Sequence, residues 1–356
     1  MDIKEKSSSE RKSSTNKNPK SRSAVIKNFI KAATQRGFFA KEERQYISQG
    51  DNSFAFVNCI GRVFDTCNST SKFHNAFTQV ITGGGQEKDK INTLHSSSLL
   101  GLLCFYAIND TNRLKFTLPF NGKDVEFEFN EVKFEKTNPV FYPSVGKSHI
   151  DIALYGYANG KLAVLYLESK FSEYLSNAKS SFSKKYKYFY DELDKEGCFS
   201  QLNIVYNNND GVNDNDNDND NDNDNDNDLE LSGKHYCEGL KQMISHTIGA
   251  INSDEEEREI YLAPILFNFW NTSNETPFSR YSVAYSRLAQ GLVKLINKLG
   301  DLDDYSQFFE DEYKVKPTLK KNSNKLFISD KVFSYQEFFK NADFELPQAV
   351  KEYYNL

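Results

Sequence analysis

No run of about 18 apolar residues occurs in this 356-residue chain, so nothing in it reads as a membrane-spanning helix. The first residues, MDIKEKSSSERKSSTNKNPKSRS, lack the apolar centre of a secretory signal, which makes the cytoplasm the expected address. Cysteine is sparse: Cys59, Cys67, Cys104, Cys198 and Cys237 are odd in number, widely spaced and form no CxxC pair, so neither a disulfide framework nor a zinc site is indicated. Ser96, Ser97 and Ser98 lack the accompanying His and acid of a nucleophilic triad, and they read as helix caps. The net charge of -6 is also less informative than it looks, because eight Asp residues lie in the alternating tract Asn213 to Asp228. Without them the remainder carries about +2, and charge neither favours nor excludes a nucleic-acid partner.

What is present is ample core material, 38% hydrophobic and 14% aromatic residues. Residues 1–26 read as a disordered basic tail, residues 27–300 as one α/β domain, and residues 301–356 as a C-terminal extension packed on it. Residues 209–230 read as a disordered insertion, because the Asn/Asp alternation from Asn213 to Asp228 has no apolar group to bury and its carboxylates repel one another. They lack the Gly and Glu spacing of an EF-hand loop. From about Asn28 to Ile108 the pattern is mainly helical, with HSSSLLGLLCFYAI as a buried helix. KFTLPF and VEFEFNEVKFE alternate as half-buried strands. SSFSKKYKYFYDELDK reads as helical, and its lysines and tyrosines could hold a nucleic-acid backbone, although an amphipathic helix with core aromatics is preferred. KHYCEGLKQMISHTIGAIN is a helix whose apolar stripe leaves Gln242 and His246 one turn apart on a flank. IYLAPILFNFW reads as a buried strand and YSRLAQGLVKLINKLG as a helix ending at Gly300, so the whole is an α/β core with a mixed sheet.

The informative stretch is HIDIALYGYANGKLAVLYLESKFSEYL, His149 to Leu175. Asn159-Gly160 is a strong signal for a type I′ hairpin turn, which demands positive φ at both central residues. With the turn placed there, Asp151 falls opposite Glu168, their Cβ atoms about 4.5–5.5 Å apart on one face, and Lys170 joins that face opposite His149. Opposed carboxylates repel, more strongly as water is excluded, and a divalent cation between them reverses the sign. Mg²⁺ suits such a pair, since it takes one or two carboxylates, keeps waters and leaves room for a phosphate oxygen. An adjacent ammonium could orient the attacking water and stabilise charge on phosphorus, so the implied chemistry is phosphodiester hydrolysis.

Asp151 followed by Glu168-Ser169-Lys170 at the end of an apolar strand resembles the PD-(D/E)XK nuclease superfamily. The resemblance covers roughly residues 116–270 and implies a restriction-endonuclease-like core, a central mixed β-sheet flanked by helices, with extra N- and C-terminal helices. It implies Mg²⁺, with Mn²⁺ substituting, held by Asp151 and Glu168, and Lys170 assisting the water. Where the nominal motif has Pro before the Asp, this chain has Ile150. Glu135 is the upstream acid that would complete the metal site, and Gln242 takes the place of a helix glutamine near the site in the superfamily. Glu173 would add a further carboxylate, and His149 a phosphate contact. The resemblance further implies DNA rather than RNA as partner, an endonuclease serving restriction, defence or repair, and allows a homodimer. The alternatives are an RNA nuclease, or a non-catalytic nucleic-acid- or protein-binding module of the same fold. Other ExK spacings, Glu131/Lys133 and Glu312/Lys314, follow no comparable apolar strand and rank below it.

Overall fold

The computed structural model describes residues 21–38, 71–83, 91, 96–141, 145–176, 179–182, 186–208, 229–234, 236–255, 257–270, 275–300 and 325–356. Helices α1 (Arg22–Gln35), α2 (Ser71–Thr82) and α3 (Ser97–Phe105) precede strands β1 (Leu114–Phe120), β2 (Lys123–Phe141), β3 (Val145–Ala158) and β4 (Lys161–Lys170). Then come β5 (Ser180–Phe182), α4 (Lys187–Lys195), α5 (Cys198–Gln201), β6 (Ile204–Asn208), β7 (Leu229–Gly233) and α6 (Cys237–Ile251). The chain continues through β8 (Glu259–Leu266), α7 (Pro277–Gly300), β9 (Leu326–Ile328), β10 (Phe333–Ser334), α8 (Tyr335–Asn341) and α9 (Gln348–Tyr354).

A seven-stranded mixed sheet in the order β1-β2-β3-β4-β8-β10, with β9 also on β8, forms the centre. β1 to β4 pair antiparallel in sequence, whereas β8 runs parallel to β4, β9 and β10. A parallel partner needs a crossover rather than a turn. The segment from β4 to β8 supplies it, carrying α6 and a small sheet of β5, β7 and β6. The α/β class and the mixed sheet flanked by helices are therefore as the sequence implied. Among the described residues no helix is long and apolar enough to cross a membrane.

β4 is buried on both faces from Ala163 onward because helices cover both sides of the sheet, which explains its unbroken apolar run. Leu165, Leu167 and Ala263 face a layer containing α2, α3, α8 and α9, while Val164, Tyr166 and Leu262 face α4, α6 and α7. The hairpin forms where the turn signal places it. Asn159 and Gly160 have φ of 47° and 78°, and Ala158 pairs with Lys161. Ser96 caps α3 by accepting the Leu99 N–H, and α3 is buried all round.

Several boundaries differ from expectation. α1 starts at Arg22 with Ser21 as its cap, inside the segment read as tail. SSF is a strand, β5, and helix α4 starts only at Lys187. The reason is that Ser180 to Phe182 pair with Leu229 to Leu231, so tertiary pairing overrides local pattern. β8 stops at Leu266, short of Trp270. β7 begins at Leu229, within the span read as insertion, and the tract Asn213 to Asp228 lies outside the described residues. The C-terminal residues do more than pack on the core: β9 and β10 extend the sheet beyond β8.

The β2–β3 ribbon is irregular at two places: its register shifts between Phe129 and Glu131, and its pleat changes near Glu135. Alternation should put all even residues of a strand on one face. Phe134, Ile152 and Leu154 do face the first layer, yet Val140 and Ile150 face the second. The pleat of the ribbon thus slips by one residue near Glu135, whose φ is 51°, in the sparsely populated left-handed region.

The packing makes a direct prediction for stability. Leu165→Ala, at a fully buried site in the central strand, should cost about 2–5 kcal/mol in urea denaturation. Leu162→Ala, on the same strand but 40% exposed, should stay within about 0.5 kcal/mol of the parent.

Candidate active site

The β3–β4 ladder runs in the expected register as far as Ile152 opposite Leu167 and ends there. The β4–β8 ladder continues through Lys170 opposite Leu266, and the Phe267 N–H then donates to the Lys170 carbonyl at 2.8 Å. β3 therefore leaves β4 where the end of β4 is still held by β8. At that fork the Asp151 carboxylate replaces the missing strand partner, its Oδ2 accepting the Ser169 N–H at 2.7 Å. Lys170 Nζ lies 3.8 Å from the same oxygen and pairs directly with Glu168 Oε1. The structure brings Asp151, Glu168 and Lys170 into one cluster.

Ser169, between the two charged residues of β4, points to the opposite layer. Its hydroxyl donates to the Ser97 carbonyl at 3.1 Å and meets the Tyr335 hydroxyl at 2.7 Å. Because alternate strand residues face opposite sides, anchoring Ser169 fixes the direction of Glu168 and Lys170.

Glu168 and Lys170 retain 2% and 8% of their side-chain exposure, and Asp151 retains 19%. Burial raises the Glu168 pKa, but Lys170 and His246 together outweigh it and bring this carboxyl down to about 2. Burial lowers the Lys170 pKa, yet Glu168 and Asp151 carry it well above the usual lysine range. Asp151 goes the other way: burial, then the Glu168 charge, push it well above the usual carboxylate range, and Lys170 only partly offsets them. Coupled acids in unlike surroundings divide in this manner, one firmly ionised and one reluctant.

The second holder of Glu168 is His246 of α6, whose Nε2 lies 2.6 Å from Glu168 Oε2. The other ring nitrogen, Nδ1, is 2.7 Å from the Ser148 hydroxyl. Gln242, one turn earlier, makes no such contact, and its Oε1 is buried without a hydrogen-bond partner. The helix flank holding both residues was visible in the sequence. Ser148 carried no signal, because the pleat slip that turns it toward α6 has no marker there.

Glu135 falls opposite Asp151, between the pairs Phe134–Ile152 and Lys136–Ile150, and its charge contributes to the raised Asp151 pKa. Glu173 does not join the cluster as a free acid, since its Oε2 accepts the Phe171 and Ser172 N–H groups at 2.8 Å. His149 is not opposite Lys170, because the ladder has already ended; it faces Thr137, with Nδ1 3.3 Å from Oγ1. Glu131 and Lys133 form an exposed ion pair, and Glu312 and Lys314 lie outside the described residues. In KKYKYFY, Phe189 and Tyr190 are core, while Lys184 and Lys185 lie outside the described residues. Cys104, Cys198 and Cys237 are free and buried; Cys59 and Cys67 lie outside the described residues.

Among the described residues no three His, Cys, Asp or Glu side chains converge as a preformed metal cage. The donors present still fit a hard cation that needs only one or two carboxylates and keeps its waters. Glu168 Oε2 is committed to His246, whereas Oε1 is buried with no donor other than the Lys170 ammonium, and Asp151 is the most exposed of the three while still largely buried. Compared with protein-family models, curated proteins and solved structures, the chain matches none.

The raised Asp151 pKa has a signed consequence. An unfolded Asp loses its proton near pH 3.9. The folded carboxyl holds its proton to higher pH, so the folded state binds more protons above that point and stability falls as pH rises. Without divalent metal, Asp151→Asn should therefore melt above the parent at pH 7–8, by about 2–4 °C, a gap that closes toward pH 4. Thermal denaturation across pH measures it.

Proposed function

We propose that this chain is a magnesium-dependent endonuclease, hydrolysing DNA phosphodiester bonds at the Asp151, Glu168 and Lys170 cluster of a restriction-endonuclease-like core. The observation that carries the reading is the fork between β3 and β4, where two acids and an ammonium meet at the end of a central strand. A structural salt bridge needs one carboxylate per lysine. The second acid here makes its own fold less stable, which is the mark of a group kept for a ligand.

Asp151 and Glu168 would hold Mg²⁺, Asp151 through its partly buried carboxylate and Glu168 through Oε1. When bound, Mg²⁺ supplies Lewis acidity to a phosphate oxygen and lowers the pKa of a coordinated water. Lys170, held protonated by its neighbours, acts through its charge rather than as a base: it orients the water and stabilises negative charge developing on the phosphate. Ser97 and Tyr335, by fixing Ser169, keep Glu168 and Lys170 aimed into the cluster. Glu135, opposite Asp151, is placed to add a carboxylate through water.

A second reading is a non-catalytic binding module with the same core. It is favoured by one observation, that Lys170 already neutralises Glu168 and no third ligand completes a cage among the described residues.

Nuclease assays separate the two. Purified protein should cleave DNA with Mg²⁺ or Mn²⁺ and stop with EDTA, with matched RNA cut less well. Glu168→Gln and Lys170→Ala should each lower the rate at least about 100-fold while circular dichroism stays unchanged. If either variant cuts as fast as the parent, the site is wrong; if the parent cuts nothing, the binding-module reading stands.

A further inference from the structure

α6 packs an almost wholly apolar face on the sheet: Leu240, Met243, Ile244, Thr247, Ile248 and Ile251 are all buried. His246 sits among them, 4% exposed. A buried polar ring is costly unless both nitrogens are bonded, and here both are. Glu168 pairs with the Lys170 ammonium through Oε1, so its Oε2 serves as an acceptor and the ring carries an N–H on Nε2, 2.6 Å from it. Nδ1 pairs with the Ser148 hydroxyl at 2.7 Å. Ser148 is itself 2% exposed, so the serine–histidine–carboxylate chain is closed to substrate and has no access as a nucleophile.

A second observation shows that the fold is shaped around this chain. Gly249, one turn beyond His246, lies against β3 so closely that a Cβ there would come within 2.7 Å of Ser148 Cβ and 3.1 Å of its hydroxyl. Any larger residue would push Ser148 away from the imidazole. Strand and helix can approach this far only because the position has no side chain.

We propose that His246 is a positioning residue for Glu168, with Ser148 fixing the orientation of its ring and Gly249 permitting their contact. By occupying Oε2, it prevents Glu168 from binding a cation through both oxygens and presents Oε1 alone toward Asp151. This selects a small octahedral ion that accepts single carboxylate oxygens over a larger ion that favours bidentate carboxylates. The proposal rests on the reading of Glu168 as a metal ligand.

Calorimetric titration of the full chain with MnCl₂ tests it without relying on activity. His246→Gln can still reach Glu168 with an N–H, whereas the shorter His246→Asn cannot. His246→Asn and Gly249→Ala should each weaken Mn²⁺ binding about 10–100-fold, with His246→Gln staying close to the parent. The Mn²⁺ concentration giving half-maximal cleavage should rise in step for the two weakened variants. Equal Mn²⁺ affinity in the Gln and Asn variants, or parent-like affinity in Gly249→Ala, overturns the proposal while leaving the metal site standing. If the parent itself binds no Mn²⁺, the nuclease reading fails and this one with it.

Discussion

The Glu168 carboxylate, buried at the end of the central strand and shared between Lys170 and His246, is the interaction on which this site depends. Its ionisation is maintained by two partners from different elements, one on its own strand and one on the crossover helix. A buried charge stripped of a partner costs about 3–5 kcal/mol, so β4 and α6 are tied together by more than apolar packing. The same arrangement leaves Asp151 as the acid without a full countercharge.

The topology explains why that imbalance arises at one place. β4 lies where the sheet changes from antiparallel to parallel pairing. Its parallel partner β8 holds it to Lys170, while its antiparallel partner β3 departs at Asp151. The pleat slip near Glu135 turns the far half of β3 onto α6, which takes Ser148 to His246 and leaves the carboxylates at the fork. A backbone residue with positive φ, a lost ladder pair and a carboxylate with a raised pKa thus coincide within one small volume. Local strain concentrated in this way is a feature of ligand-binding sites.

Much of this was legible in local chemistry. The Asn159-Gly160 turn fixes the register, the register brings Asp151 to Glu168, and the unbroken apolar run of LAVLYL marks a strand covered on both faces. What the sequence could not reveal depends on long-range packing. β5 forms because Ser180 to Phe182 find a partner in β7, and the C-terminal β9 and β10 become sheet edges only because β8 is already in place. Extending the ladder puts His149 opposite Lys170, but β3 leaves β4 after Ile152, and His149 keeps only its β2 partner, Thr137. Gln242 and His246 shared a helix flank with nothing local to rank them, and only the depth at which α6 sits puts the imidazole on Glu168.

The central claim is that the fork between β3 and β4 is a divalent-cation site. Crystals soaked in Mn²⁺ and measured at a wavelength where manganese scatters anomalously test it most directly. The account predicts one strong peak between Asp151 and Glu168 Oε1, with the Lys170 ammonium displaced from that oxygen and the His246 contact retained. An empty fork at saturating Mn²⁺, with Lys170 still bridging the two acids, would contradict it.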